Sequence, residues 1–376
     1  MALRDEIEID DRTSRAGESG RAPGPGNVPW PARLVALGRP LAPGFGLVLG
    51  VTVVATVIGG AVPVVGAPVV AILCGGAIAL VRPPTDRCRP GIVFASKQVL
   101  QASVVVLGFG LSLGQVLSTG ARSLPVLVGT LVIALGMAWL AGRVLGLRGD
   151  VRTLIGVGTA ICGASAIAAT DAVIDADEAD VSYAIATIFT FNVAAVLVYP
   201  TIGHALGFSQ HTFGLWAGTA INDLSSVVAA STVYGHAAAT YGVVVKLTRT
   251  LAILPVCFGL AVVRGWRRGE AAATSAATAE APPRGRVELR RVLPMFIVAF
   301  LGAVMLNTLG VVPHDWHHGL TDLSTWMITA ALAAIGLSTN VGHLRRAGLR
   351  PLALGAILWL TVGLASLGLQ ALTGTL

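Results

Sequence analysis

Gly158-Thr159-Ala160-Ile161-Cys162-Gly163-Ala164-Ser165 returns as Gly218-Thr219-Ala220-Ile221-Asn222-Asp223-Leu224-Ser225, a constant offset of 60 residues. Ala169 and Ala229 extend the match at the same offset. Both copies lie inside apolar windows, yet both gather glycines and polar groups that a plain membrane helix would avoid. Such stretches suit a broken helix, whose free N–H groups and positive dipole end favour an anion. They also suit close packing of helices through small residues. The recurrence tips the reading toward a site, because substrate sites of secondary transporters lie at the interface of internal repeats.

Around these copies the chain is one apolar window after another: 44–62, 66–81, 92–116, 124–146, 151–174, 181–206, 211–232, 238–263, 292–312, 322–343 and 350–374. Each is near the roughly 17–25 residues that a hydrocarbon core of ~30 Å requires. Only 12% of the 376 residues are charged and the mean hydropathy is +0.78, against about 25% charged in a soluble domain. The fold class is therefore an all-α polytopic membrane protein with about 11 membrane segments, its partner the lipid bilayer.

The net charge of +7 does not point to nucleic acid, because the arginines sit in short loops where they set membrane orientation. Arg82, Arg87 and Arg89 mark one cytoplasmic loop, Arg143, Arg148 and Arg152 another, and Arg345, Arg346 and Arg350 a third. The long stretch 264–291, with seven arginines around an Ala/Thr run, is a fourth. Counting from a cytoplasmic N-terminus satisfies all four and leaves the C-terminus outside. Residues 1–40, rich in Gly, Pro and charge, read as a disordered cytoplasmic tail with no signal-peptide core. Residues 41–376 form the membrane domain. Four scattered cysteines, Cys74, Cys88, Cys162 and Cys257, suggest neither a disulfide framework nor a zinc site.

A second echo, at offset 226, relates Gly110-Leu111-Ser112, Pro125 and Gly129 to Gly336-Leu337-Ser338, Pro351 and Gly355. Parity matters here. In a plain count of crossings, segments five and seven run the same way, which an inverted repeat forbids. If both enter and leave on one side, five opens to the cytoplasm and seven to the outside, and inversion is restored. Re-entrant segments and broken crossing helices both remain open at this point, and either places the two copies at a binding site, since irregular backbone at membrane depth needs protein or a cavity around it.

The candidate site residues follow. Gly158, Thr159, Cys162 and Ser165 in segment five, with Thr219, Asn222, Ser225 and Ser226 in segment seven, offer backbone and side-chain polar groups. Asp223 is an acid within an apolar window, where an ionised side chain costs roughly 2.5–3.5 kcal/mol at the centre; it is the candidate coupling group for H+ or Na+. Lys246 and Arg249, three apart on one helical face, supply positive charge for a small anion; pairing of Arg249 with Asp223 to hold the bundle together is the alternative reading. Lys97, Gln98 and Gln101, Asp171, Asn192, Asn307 and Thr339-Asn340 are weaker polar positions. The outer run His314-Asp315-Trp316-His317-His318 leaves open a membrane enzyme or a metal-sensing receptor, and an anion channel is a third alternative. No Walker loop, GxSxG or HExxH is present, so the chain reads as a transporter rather than an enzyme, with no cofactor and no metal.

Leu107–Leu113, Gly158–Ala169, Val181–Thr187, Phe213–Thr219, Val245–Arg249 and Gly336–Asn340 together resemble the YeiH-type sulfate exporter family, over a stretch from about Pro43 to the C-terminus. The resemblance implies a bacterial plasma-membrane secondary transporter that exports a small inorganic or organosulfur anion such as sulfate. It implies a fold related to the cation–proton antiporter and anion transporter group, with inverted repeats and two discontinuous segments, and a homodimer among the assemblies open to it. One departure is clear: where the family's pattern carries His before the Asp and Ala-Gln beyond it, this chain has Asn222, Ser225 and Ser226.

Overall fold

A computed structural model describes residues 41–61, 66–147, 149–260, 262, 295–313, 315–338 and 348–376. The tail 1–40, the arginine-rich loop 264–291, His314, Thr339-Asn340 and Arg345-Arg346 lie outside the described residues. The described residues are helical with no strand. In chain order the helices are α1 (Ala42–Ala61), α2 (Gly66–Val81), α3 (Arg89–Gly108), α4 (Leu113–Val144), α5 (Gly149–Ala160), α6 (Ala164–Ile174) and α7 (Glu178–Ala205). Then come α8 (Gln210–Ala220), α9 (Leu224–Tyr234), α10 (His236–Thr250, helical again to Leu260), α11 (Met295–Thr308), α12 (Trp316–Leu337) and α13 (Leu349–Thr373). Among the described residues, seven are long and apolar enough to cross a bilayer: α1, α3, α4, α7, α10 through Leu260, α12 and α13. This is an all-α polytopic membrane protein. Its lipid-facing surface is apolar, as α4 shows by exposing Leu117, Leu124, Val128, Val132 and Leu140.

Eleven apolar segments were expected and their order holds, with two boundaries moved: window 322–343 becomes Trp316–Leu337, which takes Trp316, His317 and His318 of the expected outer loop into a helix. Windows 92–116 and 124–146 become Arg89–Gly108 and Leu113–Val144. The cause is a capping box: Ser112 accepts the Gln115 N–H at 3.2 Å and the Gln115 side chain accepts the Ser112 N–H at 3.0 Å. Reciprocal capping starts a helix where hydropathy alone does not.

The helices sort into two packed groups. A scaffold joins α1, α2, α3, α11 and α12. α2 and α12 cross closely within it: a Cβ on Gly75 would lie 2.5 Å from the Ala333 carbonyl and one on Gly336 would lie 2.5 Å from that of Ile72. The second group gathers α4 to α10 and α13.

Within the second group, segments five and seven are helical hairpins. Val151 at the start of α5 and Ile174 at the end of α6 share one apolar cluster with Ala141, near the end of α4. Consistent with that reversal, a Cβ on Gly158 would lie 3.0 Å from the Ile167 side chain across the turn. In the other hairpin the Phe213 ring, at the start of α8, stacks on Tyr234, the last residue of α9, with centroids 3.8 Å apart. The Tyr234 hydroxyl donates to the Phe208 carbonyl at 2.5 Å, just beyond the far end of α7. Since α7 runs from the mouth of the first hairpin to that of the second, the two hairpins open toward opposite ends of the bundle. Inversion is satisfied, and the choice between hairpin and broken crossing is made.

Candidate functional site

The two hairpin tips meet. At each tip one short helix ends and another begins, so two sets of carbonyls and two sets of N–H groups lack partners within their helices. α5 ends at Ala160 and α8 at Ala220, and both C-termini turn toward α10. Glycines permit the approach: a Cβ on Gly218 would lie 2.7 Å from Val245 and 2.9 Å from the Gly242 carbonyl.

Lys246 and Arg249 project from α10 into this junction and are 0% and 2% exposed. The Lys246 Nζ donates to the Ile161 and Ile221 carbonyls, each at 2.7 Å, and so bridges the two tips. Arg249 donates from Nε to the Ala160 carbonyl at 2.6 Å, from one terminal nitrogen to Thr159 at 3.0 Å, and from the other to Thr219. Two cations therefore hold the last carbonyls of both α5 and α8, where the helix dipoles are negative. Both side chains are buried, and the bonds they make go to main-chain carbonyls of the two tips. Arg249 does not pair with Asp223.

Asp223 is the N-cap of α9. Its Oδ1 accepts from the Ser225 N–H at 2.6 Å and the Ser225 hydroxyl at 2.5 Å, and its Oδ2 from the Ser226 hydroxyl at 2.6 Å and Asn192 Nδ2 at 3.2 Å. Four donors occupy the roughly four lone-pair sites of an ionised carboxylate. Asn192, a weak candidate by sequence, also accepts the Asn222 N–H at 3.3 Å. Asn222 is 2% exposed, and its side-chain Oδ1 has no partner among the described residues.

The start of α6 is built differently. Its N-cap is Gly163, with φ 69° and ψ −128°, a conformation that favours glycine, and no side chain caps the helix. Gly163 stands 60 residues before Asp223 and therefore occupies its place in the echo. A Cβ there would lie 3.2 Å from Asp223 Cβ, so the two helix starts are neighbours. Ala164 and Ser165 are exposed, whereas Cys162 and Thr159 are buried.

Thr219 shares its hydroxyl with Ser366 of α13 at 2.6 Å, and Gln370 Nε2 donates to Ser366 at 3.2 Å. The sequence reading missed Ser366 and Gln370; their i, i+4 spacing inside an apolar window was the available signal. Other candidates sit apart. Asp171 accepts the Ala176 N–H at 3.1 Å beyond the end of α6, and Asn307 donates to the Leu111 carbonyl at 3.1 Å. Lys97, Gln98 and Gln101 are exposed on α3, Lys97 within a π turn at Ala95–Val99. His318 is exposed, and the described residues gather no metal-binding group of three His, Cys, Asp or Glu side chains.

Known proteins share this chain's sequence over most of its length. A family model described as "Conserved hypothetical protein 698" matches residues 43–355. A UPF0324 membrane protein of Streptococcus pyogenes serotype M6 is 42% identical over 296 residues, covering 77% of this chain and 84% of the relative. Its counterpart in Streptococcus mutans is 42% identical over 292 residues, covering 76% and 83%. One from Fusobacterium nucleatum is 39% identical over 304 residues, covering 76% and 84%. With thirteen described helices, two opposed hairpins and these relatives, the chain belongs to the conserved hypothetical protein 698 family of UPF0324 membrane proteins, the YeiH-type group that its six ordered motifs resemble.

Proposed function

We propose that the protein is a secondary transporter of a small oxyanion, sulfate or a related organosulfur anion, in the bacterial plasma membrane, with its N-terminus cytoplasmic and its C-terminus outside. The observation that carries this reading is the contrast between the two helix starts. α9 holds a carboxylate, Asp223, against its first N–H groups and hydroxyls. α6 has the same place in the echo, a glycine instead of the acid, and an exposed first turn bearing Ser165. In this reading Asp223 is a built-in model of the anion that α6 takes from solution, held there by main-chain N–H groups and the Ser165 hydroxyl.

Charge supports it. Two helix C-termini contribute about −0.5 each and two N-termini about +0.5 each, so the dipole ends cancel. Lys246 and Arg249 against Asp223 then leave about one positive charge at the junction, with the dipole estimate as the reference. One anion balances it. An anion beside Asp223 adds like-charge repulsion, which a proton on Asp223 removes while Ser225 and Ser226 turn their hydroxyls to accept. Asn222 Oδ1 offers a buried acceptor to a substrate hydroxyl, and with the amide turned it offers a donor to an anion.

The test is flux of labelled sulfate, sulfite and an organosulfonate into proteoliposomes, with and without a pH gradient. We expect uptake of at least one of these, accelerated by a proton gradient in wild type and insensitive to it in Asp223→Asn. Absence of flux for all three, or an Asp223→Asn protein that keeps the full pH response, overturns the reading.

A further inference from the structure

The two hairpins are related in sequence but not in surroundings. In α9, Val228 and Ala229 are each 0% exposed. They share a core with Leu100 and Leu107 of α3 and Ile328 and Leu332 of α12, so this hairpin is sealed against the scaffold. The matching residues of α6 are Ala168, which is exposed, and Ala169, which is half-buried. α6 packs mainly on α5 and α7, with no comparable contact to the scaffold. The face it leaves open, Ala164, Ser165, Ala168 and Ala172, consists of small side chains, where the exposed face of α4 carries Leu and Val.

At the opposite end a small cavity of about 60 Å³ lies between the groups, walled by Val106 of α3 and Leu111 just beyond it, His236 and Thr240 of α10, and Thr321 and Ser324 of α12. It sits beside the mouth of the second hairpin, since α10 begins at His236, two residues past Tyr234.

We infer that the structure holds the pathway open on the side bearing Arg143, Arg152 and Arg350 and shut on the other, with the cavity between α3, α10 and α12 as the shut outer mouth. This rests on the transport reading above and adds to it which side is open and which surfaces must part. Substrate leaves when the α9 face at Val228 separates from the scaffold, and the α6 face at Ala168 closes in its place. Lys246 and Arg249 tie both tips to α10 through five main-chain acceptors, so the hairpins travel with α10 as one unit. A pore open at both ends is not what this arrangement provides.

Introduced cysteines in the full chain test it, in a background with Cys74→Ser and Cys88→Ser, each rate read against that background because the buried Cys162 and Cys257 remain. A water-soluble maleimide is applied to sealed membrane vesicles of each orientation. We expect Ser165→Cys and Ala168→Cys to react at least ten times faster from the cytoplasmic side, Thr240→Cys only from outside, and Val228→Cys slowly from both. Labelling of Ser165→Cys and Ala168→Cys from the outside, or only by a lipid-soluble maleimide, overturns the inference. Labelling needs no substrate, so it is decided separately from the flux assay. Ala168→Cys and Ser165→Cys are near-isosteric, and a monodisperse elution profile establishes that each is folded.

Discussion

Replacing Arg249 by Met keeps most of the side chain's length and removes its three recorded bonds, to the carbonyls of Ala160, Thr159 and Thr219. Those acceptors end α5 and α8, and Arg249 itself is 2% exposed, so water does not replace the guanidinium. A buried polar group left without its partner costs about 1–3 kcal/mol, and three such groups cost roughly 3–9 kcal/mol. Relief of repulsion with Lys246, one turn away on α10, offsets part of this and puts the expected value near the lower end. At ~2 °C per kcal/mol for a large domain, Arg249→Met should melt at least about 6 °C below wild type. The assay is thermal unfolding of the detergent-purified protein followed by loss of the monodisperse size-exclusion peak. Arg249→Lys should fall between, because an ammonium reaches fewer of the three carbonyls than a planar fork. If Arg249→Met melts within about 2 °C of wild type but abolishes flux, Arg249 is a substrate ligand and not a tie between hairpins.

Three further outcomes are expected. Gly163→Ala puts a Cβ 3.2 Å from Asp223 Cβ at a positive φ; a strained backbone of this kind costs of order 1–3 kcal/mol, and apparent anion affinity should fall in the flux assay. Ser165→Ala deletes one hydroxyl from an exposed turn, so its melting temperature should match wild type while its KM for the transported anion rises several-fold; an unchanged KM removes Ser165 from the site. Gly336→Val brings a side chain onto the Ile72 carbonyl and the Gly76 nitrogen at the α2–α12 crossing, and its yield of folded protein should collapse whatever substrate is present.

The membrane fold was legible because its cause is local: each window is long and apolar by itself. The hairpins were only half legible. Nothing within 151–174 distinguishes a hairpin from a crossing, and the conflict between two like-sensed copies of an inverted repeat left re-entrant and broken crossing helices both open. Gly158, which lies against Ile167, and Phe213, which stacks on Tyr234, are the contacts that make the reversal physical. The main-chain partners of Lys246 and Arg249 were not legible, for an equally physical reason. Residue type and spacing identify buried positive charge in an apolar helix, but not what neutralises it, and backbone carbonyls leave no trace in a sequence. Asn192 was undervalued likewise, since its partner Asp223 is 31 residues away.

Those main-chain partners point to how the junction is made. A helix that stops at membrane depth exposes four carbonyls, and one that starts there exposes four N–H groups, so each hairpin tip creates an anion-repelling end and an anion-attracting end side by side. In water these would be solvated and inert. Here α10 satisfies the repelling ends of both hairpins at once, with Lys246 bridging Ile161 and Ile221 and Arg249 spanning Ala160 and Thr219. What remains is two attracting ends, and Asp223 fills one of them. Had both tips carried an acid, the junction would have no charge left for a substrate; had neither, two positive ends and two buried cations would repel one another with nothing between them. The exchange of Asp223 for Gly163 across the echo leaves one open place beside an occupied one, and that asymmetry, more than any single polar side chain, is what a small anion would recognise.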